Sequence, residues 1–178
     1  MHEWLQQHDN QHQYEALTIL GTNNFPFLIK RIGYDPENDR ILSYGRNLPP
    51  WLLNFKGVSK ALARRAANGK AAADEAKTIL ADMGPRAAPA VPQLIQLARE
   101  NSFEVGERVV YVLNWMGEPG FRPLFSLTDH TNQQLVTAAM ASLKSHRNSP
   151  LLPQSISNAI TRTDAYPWYD YTSQFGSR

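Results

Sequence analysis

Two histidines near the start of the chain have the spacing of a metal site. His8 and His12 are four residues apart, so on a helix they share one face, with Glu15 about one turn further along. Two imidazoles and a carboxylate form a ligand set that zinc accepts. The residues around them are polar and rich in glutamine, which is equally typical of a solvated helix face. We therefore predict no metal site here.

No other group of residues has the pattern of a catalytic or cofactor site. The chain has no cysteine, which excludes disulfides, thiol catalysis and thiolate metal sites. It has neither a Gly-x-Ser-x-Gly turn nor a glycine-rich phosphate loop. His130 and His146 stand alone and are expected near helix C-termini, where a cation is favourable. The sequence therefore predicts no catalytic residue and no cofactor.

Basic residues are concentrated in one segment of the chain. Between Asp39 and Asp74 there are seven basic residues and no acidic one, although the whole chain carries a net charge of only +2. With 11 basic and 16 acidic residues, the rest of the chain carries −5. The predicted partner-binding patch consists of Arg46, Lys56, Lys60, Arg64, Arg65 and Lys70. Such segregation creates a local field that attracts an anionic partner.

The chemistry of this segment leaves three interpretations open. Lys56, Lys60 and Arg64 are spaced by four and would form one stripe on a helix, with Trp51 and Phe55 nearby. Cations interleaved with aromatic rings suit a phosphate backbone with stacked bases, so nucleic acid or another polyanion is one possible partner. An acidic protein surface is a second. The third is a solvated helix face whose aliphatic stems cover apolar surface.

The elements that carry these residues are predicted from apolar spacing. Apolar residues recur at i, i+3, i+4 and i+7, which places them on one face of a helix. The clearest faces are Phe25-Leu28-Ile29-Ile32, Ala76-Ile79-Leu80-Met83, Val91-Leu94-Ile95-Ala98, Val109-Val112-Leu113-Met116 and Val136-Ala139-Met140-Leu143. No segment alternates apolar and polar residues as a strand does. The sequence predicts an all-α fold of about eight or nine helices.

These helices follow a repeated order. An apolar face ends in a glycine, prolines follow, and a second apolar face begins; this happens after Gly21, Gly84 and Gly117. Glycine at such an end is typical of a residue with positive φ. The unit at 36–75 is irregular: Asp35-Pro36 and Leu48-Pro49-Pro50 interrupt it, and Asn68-Gly69 is a candidate for a further break. It is interpreted as a degraded repeat or an insertion. Internal repetition of this kind is typical of stacked helical pairs.

Residues 76–95, AKTILADMGPRAAPAVPQLI, resemble a HEAT-like repeat of the kind found in phycobilisome lyases. The resemblance is close over 76–145, fair over 13–34 and poor over 36–70. Several bacterial proteins of unassigned function share this layout, including a stretch like Leu20-Gly21-Thr22-Asn23. The resemblance implies a right-handed α-solenoid of antiparallel helix pairs, an armadillo-like superhelix.

Domain organisation follows from the same pattern. A chain of 178 residues suits one domain, here a repeat domain over 1–163 with the irregular unit at 36–75. The aromatic tail at 164–178 is expected to cap the last helical pair. No apolar run reaches the ~20 residues of a membrane span. The first residues do not resemble a signal peptide, although a removed leader, and hence the compartment, stays open.

Three local predictions complete the sequence interpretation. Trp115 is expected to fill a gap between helical layers, the alternative being an outward position at an interface. Thr131 is expected to cap a helix in a Thr-x-x-Gln capping box, and Ser102 to cap another.

The function predicted from all of this is a non-catalytic scaffold or adaptor that binds a protein or peptide on a helical-repeat surface. The alternative is a nucleic-acid-binding or polyanion-binding module that uses the basic 40–70 segment.

Overall fold

A computed structural model describes residues 24–164, except for the side chains of Leu53, Thr163 and Asp164. Every regular element in this part of the chain is helical and it contains no strand, which confirms the all-α prediction there. The α-helices are α1 (Phe25–Ile32), α2 (Arg40–Arg46), α3 (Pro50–Leu53), α4 (Lys56–Asp82), α5 (Val91–Glu100), α6 (Phe103–Trp115), α7 (Glu118–Ser126), α8 (Gln133–Ser145) and α9 (Gln154–Asp164). Short 3₁₀ helices, Gly84–Ala90 and Leu127–Asp129, follow α4 and α7.

Helices α4, α6 and α8 pack side by side, and α6 contacts both of the others. The contacts between α4 and α6 join Lys70 to Glu104, Asp74 to Arg108 and Lys77 to Tyr111. Because residue numbers rise together across these contacts, the two helices run parallel. Helices α5 and α7 pack against α6 from the neighbouring layer, and α1 packs on α4.

The apolar faces predicted from the sequence form the core. Leu80 and Leu113, which occupy central positions on two of these faces, are fully buried, and so are Leu94 and Leu143. All four apolar residues of the α1 face are buried as well. The spacing at i, i+3, i+4 and i+7 therefore identified which side of each helix faces its neighbours.

The glycines that end two of these faces have the expected backbone conformation. Gly84 has a φ of 54° and Gly117 a φ of 70°, and in the described residues no amino acid other than glycine has positive φ. An L side chain is disfavoured in this region because its Cβ collides with the backbone. The chain can therefore reverse direction sharply after α4 and again after α6.

Other local predictions are corrected. Gly69 does not break the chain, because α4 runs through it without interruption. The N-cap of α8 is Asn132 rather than Thr131, and the Asn132 side chain accepts hydrogen bonds from the N–H groups of Gln134 and Leu135. Ser102 is the N-cap of α6 as predicted, but its hydroxyl makes no capping hydrogen bond. The tail at 164–178 and Gly21 lie outside what can be described, apart from the backbone of residue 164.

Candidate partner-binding surface

The basic segment lies mainly on the first half of α4, which extends beyond α6. Because Lys70 pairs with Glu104, close to the first residue of α6, the part of α4 that precedes Lys70 has no part of α6 beside it. At a helical rise of about 1.5 Å per residue, this overhang is about 20 Å long. It packs instead against α2, whose Gly45 lies against the Leu62 side chain.

Helix α2 runs antiparallel to this overhang. Asp39 at the start of α2 pairs with Arg65, whereas Gly45 near its end meets Leu62, closer to the start of α4. Helix α2, α3 and the first half of α4 therefore form a helical hairpin, with α3 in its connection. The turn of this hairpin lies at the N-terminal end of α4.

Asp39 holds the other end of this hairpin together. Its carboxylate caps α2 by accepting hydrogen bonds from the N–H groups of Ile41 and Leu42, at 2.9 and 3.2 Å, and it accepts one from Arg65 Nε at 3.0 Å. Burial by itself would raise the pKa of Asp39, but the hydrogen bonds from Leu42, Arg65 and Ile41 outweigh it and hold the pKa below its usual range. Arg65 is thus engaged in a structural contact.

Two further residues of the predicted patch also have partners within the chain. Lys70 Nζ lies 3.0 Å from Glu104 Oε1. Arg46 donates to the carbonyl oxygens of Pro36 and Glu37, at 3.3 and 2.7 Å. Arg46, Arg65 and Lys70 are exposed, but their charged groups support the fold. The sequence could not separate them from the rest of the patch, because their partners come from other segments.

The charged groups of the remaining three cations have no partner among the described residues. Lys56, Lys60 and Arg64 are exposed, and their ammonium and guanidinium groups make no hydrogen bond or ion pair within residues 24–164. Since a helix turns once per 3.6 residues, they lie on the side of α4 opposite Leu62 and Gly69, through which α4 contacts its neighbours. The predicted stripe therefore exists, with three members.

Large aromatic side chains project from the same end of the hairpin. Tyr44 is 74% exposed, Trp51 67% and Phe55 68%. Tyr44 lies in the second half of α2, Trp51 in α3, and Phe55 is the N-cap of α4. We call the surface formed by Tyr44, Trp51, Phe55, Lys56 and Lys60 the hairpin end. It combines exposed apolar area with positive charge that no acidic side chain in residues 24–164 pairs with.

Gly69 has a packing role on the inner side of the hairpin. The ring of Tyr34 lies so close over Gly69 that a Cβ there would be 2.2 Å from the Tyr34 ring. The Tyr34 hydroxyl is buried and has no hydrogen-bond partner in the described structure. Burial, reinforced by the nearby Asp39 carboxylate, raises the pKa of Tyr34. A shallow pocket of about 540 Å³ opens beside these residues, next to Arg64.

A second surface lies between α4 and α6. A groove of about 260 Å³ is lined by Lys70, Asp74, Lys77, Glu104, Glu107, Arg108 and Tyr111. We call it the α4–α6 groove. Both signs of charge are present, and Lys77 Nζ lies 5.1 Å from the centroid of the Tyr111 ring. Such a surface can bind a segment that offers hydrogen-bonding and charged groups of both signs.

Arg108 is the buried centre of this groove. Only 4% of its side chain is exposed. Its Nη1 donates to the carbonyl oxygens of Ile32 and Tyr34, at 3.2 and 2.7 Å, and its Nη2 donates to Glu104 Oε1 at 2.8 Å. Arg108 is not among the residues predicted from the sequence. It could have been found, because it occupies an apolar-face position of α6, one helical turn after Val105.

Trp115 lies at the C-terminal end of α6, and the packing prediction for it is wrong. The side of α6 that faces the core is filled by Val112 and Leu113, whereas Trp115 points outward and is 59% exposed. Tyr111, one turn earlier, is 41% exposed, and the two rings are 6.2 Å apart. The two rings thus extend the α4–α6 groove as an aromatic surface.

The described histidines have structural contacts. His146 is the C-cap of α8, as predicted, and its Nε2 lies 2.9 Å from Asn114 Oδ1. His130 accepts a hydrogen bond from the Asn132 N–H at Nδ1. Among the described residues, no cluster of three or more His, Asp or Glu side chains could hold a metal ion. His8, His12 and Glu15 lie outside these residues.

Comparison with known proteins gives no relative for this chain: no protein-family profile, no curated protein and no solved structure matches it. None of the helices in residues 24–164 has the length and apolar character needed to cross a bilayer.

Proposed function

We propose that this protein is a non-catalytic scaffold that binds a peptide segment of a protein partner in the α4–α6 groove. The observation that carries the proposal is the exposed Tyr111–Trp115 pair beside the α4–α6 groove, which offers charges of both signs. Tyrosine and tryptophan are among the residues in which binding energy concentrates at interfaces. A monomer gains little from exposing two adjacent large rings unless a partner covers them.

The proposed architecture is a right-handed α-solenoid of HEAT-like helix pairs. Two features support it. Helices α4 and α6 run parallel, with Lys70 beside Glu104. The glycines that end these helices, Gly84 and Gly117, are separated by almost as many residues as Lys70 and Glu104 are. A parallel neighbour displaced by one repeat length is what stacking of equivalent units produces. In such a stack, α4 and α6 are the first helices of neighbouring helical pairs, and an extended peptide segment can bind along the surface between them.

The experiment selects peptides and then maps their site. The full chain is used to select binders from a displayed library of random peptides, and enriched sequences are synthesised. We expect their affinity to fall at least about thirtyfold for Trp115→Ala, because an interface hot spot contributes about 2 kcal/mol or more. Trp51→Ala is the matched control, since it removes an equally exposed tryptophan outside the groove. Failure to enrich any sequence, or equal binding by both variants, would refute the proposal.

Polyanion binding at the hairpin end is the second candidate function. The observation that favours it is the unpaired stripe Lys56, Lys60 and Arg64, in a segment without acidic residues. The hairpin triple variant replaces all three with glutamine. The control triple variant replaces three exposed cations that lie outside the hairpin and that also have no partner among the described residues. Its substitutions are Arg86→Gln, Arg122→Gln and Arg162→Gln.

Retention on a heparin column separates a local site from overall charge. Both triple variants change the net charge by the same amount, so any difference between them reports the position of the cations. We expect the hairpin triple variant to elute at clearly lower salt than the control triple variant, because clustered cations release more counterions together. Elution of the two variants at the same salt concentration would exclude a local polyanion site.

A further inference from the structure

The hairpin end is a projection, and this restricts what it can bind. Tyr44, Trp51 and Phe55 are each at least two-thirds exposed, and none of them lines the two described pockets. A peptide partner anchors its hot-spot side chains in well-packed pockets, which these rings do not provide. An acidic protein segment therefore fits the hairpin end less well than it fits a groove.

The arrangement of the cations also argues against nucleic acid. Lys56, Lys60 and Arg64 follow the axis of α4 away from Phe55, with Lys60 about 6 Å and Arg64 about 12 Å from the level of Lys56. A single strand that stacks its bases on aromatic rings needs cations beside those rings, along a groove that follows its backbone. Here Tyr44 lies beside Gly45 at the level of Leu62, and neither described pocket joins the rings to one another.

A planar anionic surface matches this arrangement. Tyrosine and tryptophan are the residues that prefer the boundary between lipid and water. Lysine near an anionic bilayer is attracted by its surface potential, which decays within a Debye length of about 8 Å. If Trp51 and Phe55 enter the boundary, Lys56 and Lys60 lie inside that distance, whereas Arg64 lies about 12 Å further along α4 than Lys56. No acidic residue between Asp39 and Asp74 opposes the approach.

We propose that the hairpin end binds the surface of an anionic lipid bilayer, with Trp51 and Phe55 entering the headgroup region and Lys56 and Lys60 facing anionic headgroups. The proposal rests on the second candidate function, polyanion binding, and names the polyanion. It does not depend on the α4–α6 groove, because the two surfaces share no residue.

The first test is sedimentation of the full chain with vesicles. One vesicle type is pure phosphatidylcholine, and in the other about a third of the lipid is phosphatidylserine. We expect binding only to the anionic vesicles, weakened by salt and weakened at least about tenfold in the hairpin triple variant. The control triple variant should bind like the unmodified chain. Equal binding to both vesicle types, or no binding to either, would overturn the proposal.

Single substitutions test the orientation. Because attraction decays with distance, Lys56→Gln should weaken binding about fivefold and Arg64→Gln by less than about twofold. Equal losses from both substitutions would mean that α4 lies flat on the surface, which contradicts insertion through the hairpin end. The two single variants have the same net charge, so net charge cannot explain a difference in their vesicle binding.

Tryptophan emission identifies the segment that enters the bilayer. In a chain whose only tryptophan is Trp51, emission should shift to shorter wavelength on anionic vesicles. The matched control is a chain whose only tryptophan is Trp115 and which carries Trp51→Phe, so that an aromatic ring stays in the hairpin end; when sedimentation shows it bound to anionic vesicles, its emission should not shift. Both tryptophans are similarly exposed in the free protein. An unshifted Trp51, or a Trp51 that responds to an oligonucleotide or an acidic peptide and not to vesicles, would overturn the proposal. Retention on heparin with no vesicle binding would refute the lipid proposal and leave polyanion binding intact.

Discussion

Replacing Arg108 with methionine tests whether one buried guanidinium joins three helices. Methionine keeps much of the apolar stem and removes the charge and all donors. Arg108 connects the carbonyl oxygens of Ile32 and Tyr34, at the C-terminal end of α1, to Asp74 of α4 and Glu104 of α6. The substitution therefore removes the shared contact of these helices with little change in volume.

The expected loss of stability comes mainly from the two carbonyl groups. A hydrogen bond from a charged donor contributes about 1.5–3 kcal/mol, and the Ile32 oxygen would be left in a buried position. The carboxylates of Asp74 and Glu104 are more than a third exposed, so water can replace the guanidinium there at a cost of about 1 kcal/mol or less. We therefore expect Arg108→Met to lower the free energy of unfolding by about 3–5 kcal/mol.

The assay is urea denaturation followed by far-ultraviolet circular dichroism. Arg99→Met is the matched control. The exposed Arg99 guanidinium makes one long hydrogen bond among the described residues, 3.4 Å to the Ser126 carbonyl oxygen, so the substitution should change stability by less than about 0.5 kcal/mol. Arg108→Lys should be intermediate, since an ammonium on a shorter stem cannot reproduce the planar fork of donors. A loss below about 1 kcal/mol for Arg108→Met would refute the role assigned to this residue.

Three further predictions concern the core, a turn and a pH-dependent contact. Leu80→Ala should lower the free energy of unfolding in urea by about 2–5 kcal/mol, because the side chain is fully buried; a change within about half a kcal/mol would contradict the packing. Gly117→Ala should destabilise the protein by about 1 kcal/mol or more in thermal unfolding, because Gly117 has positive φ. Gly57→Ala is the control and should be neutral or stabilising, since Gly57 lies inside α4 with open space around it. Changes in stability of the same sign for both variants would contradict the turn. The lowered pKa of Asp39 means that its carboxylate stabilises the fold above pH 3.8, and that this contribution is lost as the pH falls through the lowered pKa. Asp39→Asn removes the contribution, so the stabilities of the variant and the unmodified chain should converge at acidic pH. A difference in stability that stays constant with pH would contradict the lowered pKa.

The helices could be predicted from the sequence because their apolar spacing is local. The period of 3.6 residues places Leu80, Leu94, Leu113 and Leu143 on inward faces whatever those faces contact, and all four are buried. Trp115 shows the limit of that reasoning. It is adjacent to the apolar face in sequence, but its direction depends on a rotation of about 100° per residue, which carries it out of the core.

The charged residues could not be assigned from the sequence, because their partners are distant along the chain. Arg65 pairs with Asp39, 26 residues away, and Arg108 donates to Ile32 and Tyr34, which are 76 and 74 residues away. No local pattern encodes such pairs. The predicted patch therefore contained six equivalent cations, whereas the fold engages three of them and gives the other three no partner among the described residues.

The difference between the engaged and the free cations follows from helix length. Helix α4 has 27 residues and its parallel neighbour α6 has 13, so a carboxylate of α6 can reach only the second half of α4. Lys70 lies at the start of that half and has Glu104 as its partner. Lys56 and Lys60 lie on the overhang, where α2 provides only Asp39, and Arg65 already occupies it. Among the described residues, the unpaired charge at the hairpin end is thus a consequence of the overhang, because the part of α4 that precedes Lys70 extends past the first residue of α6.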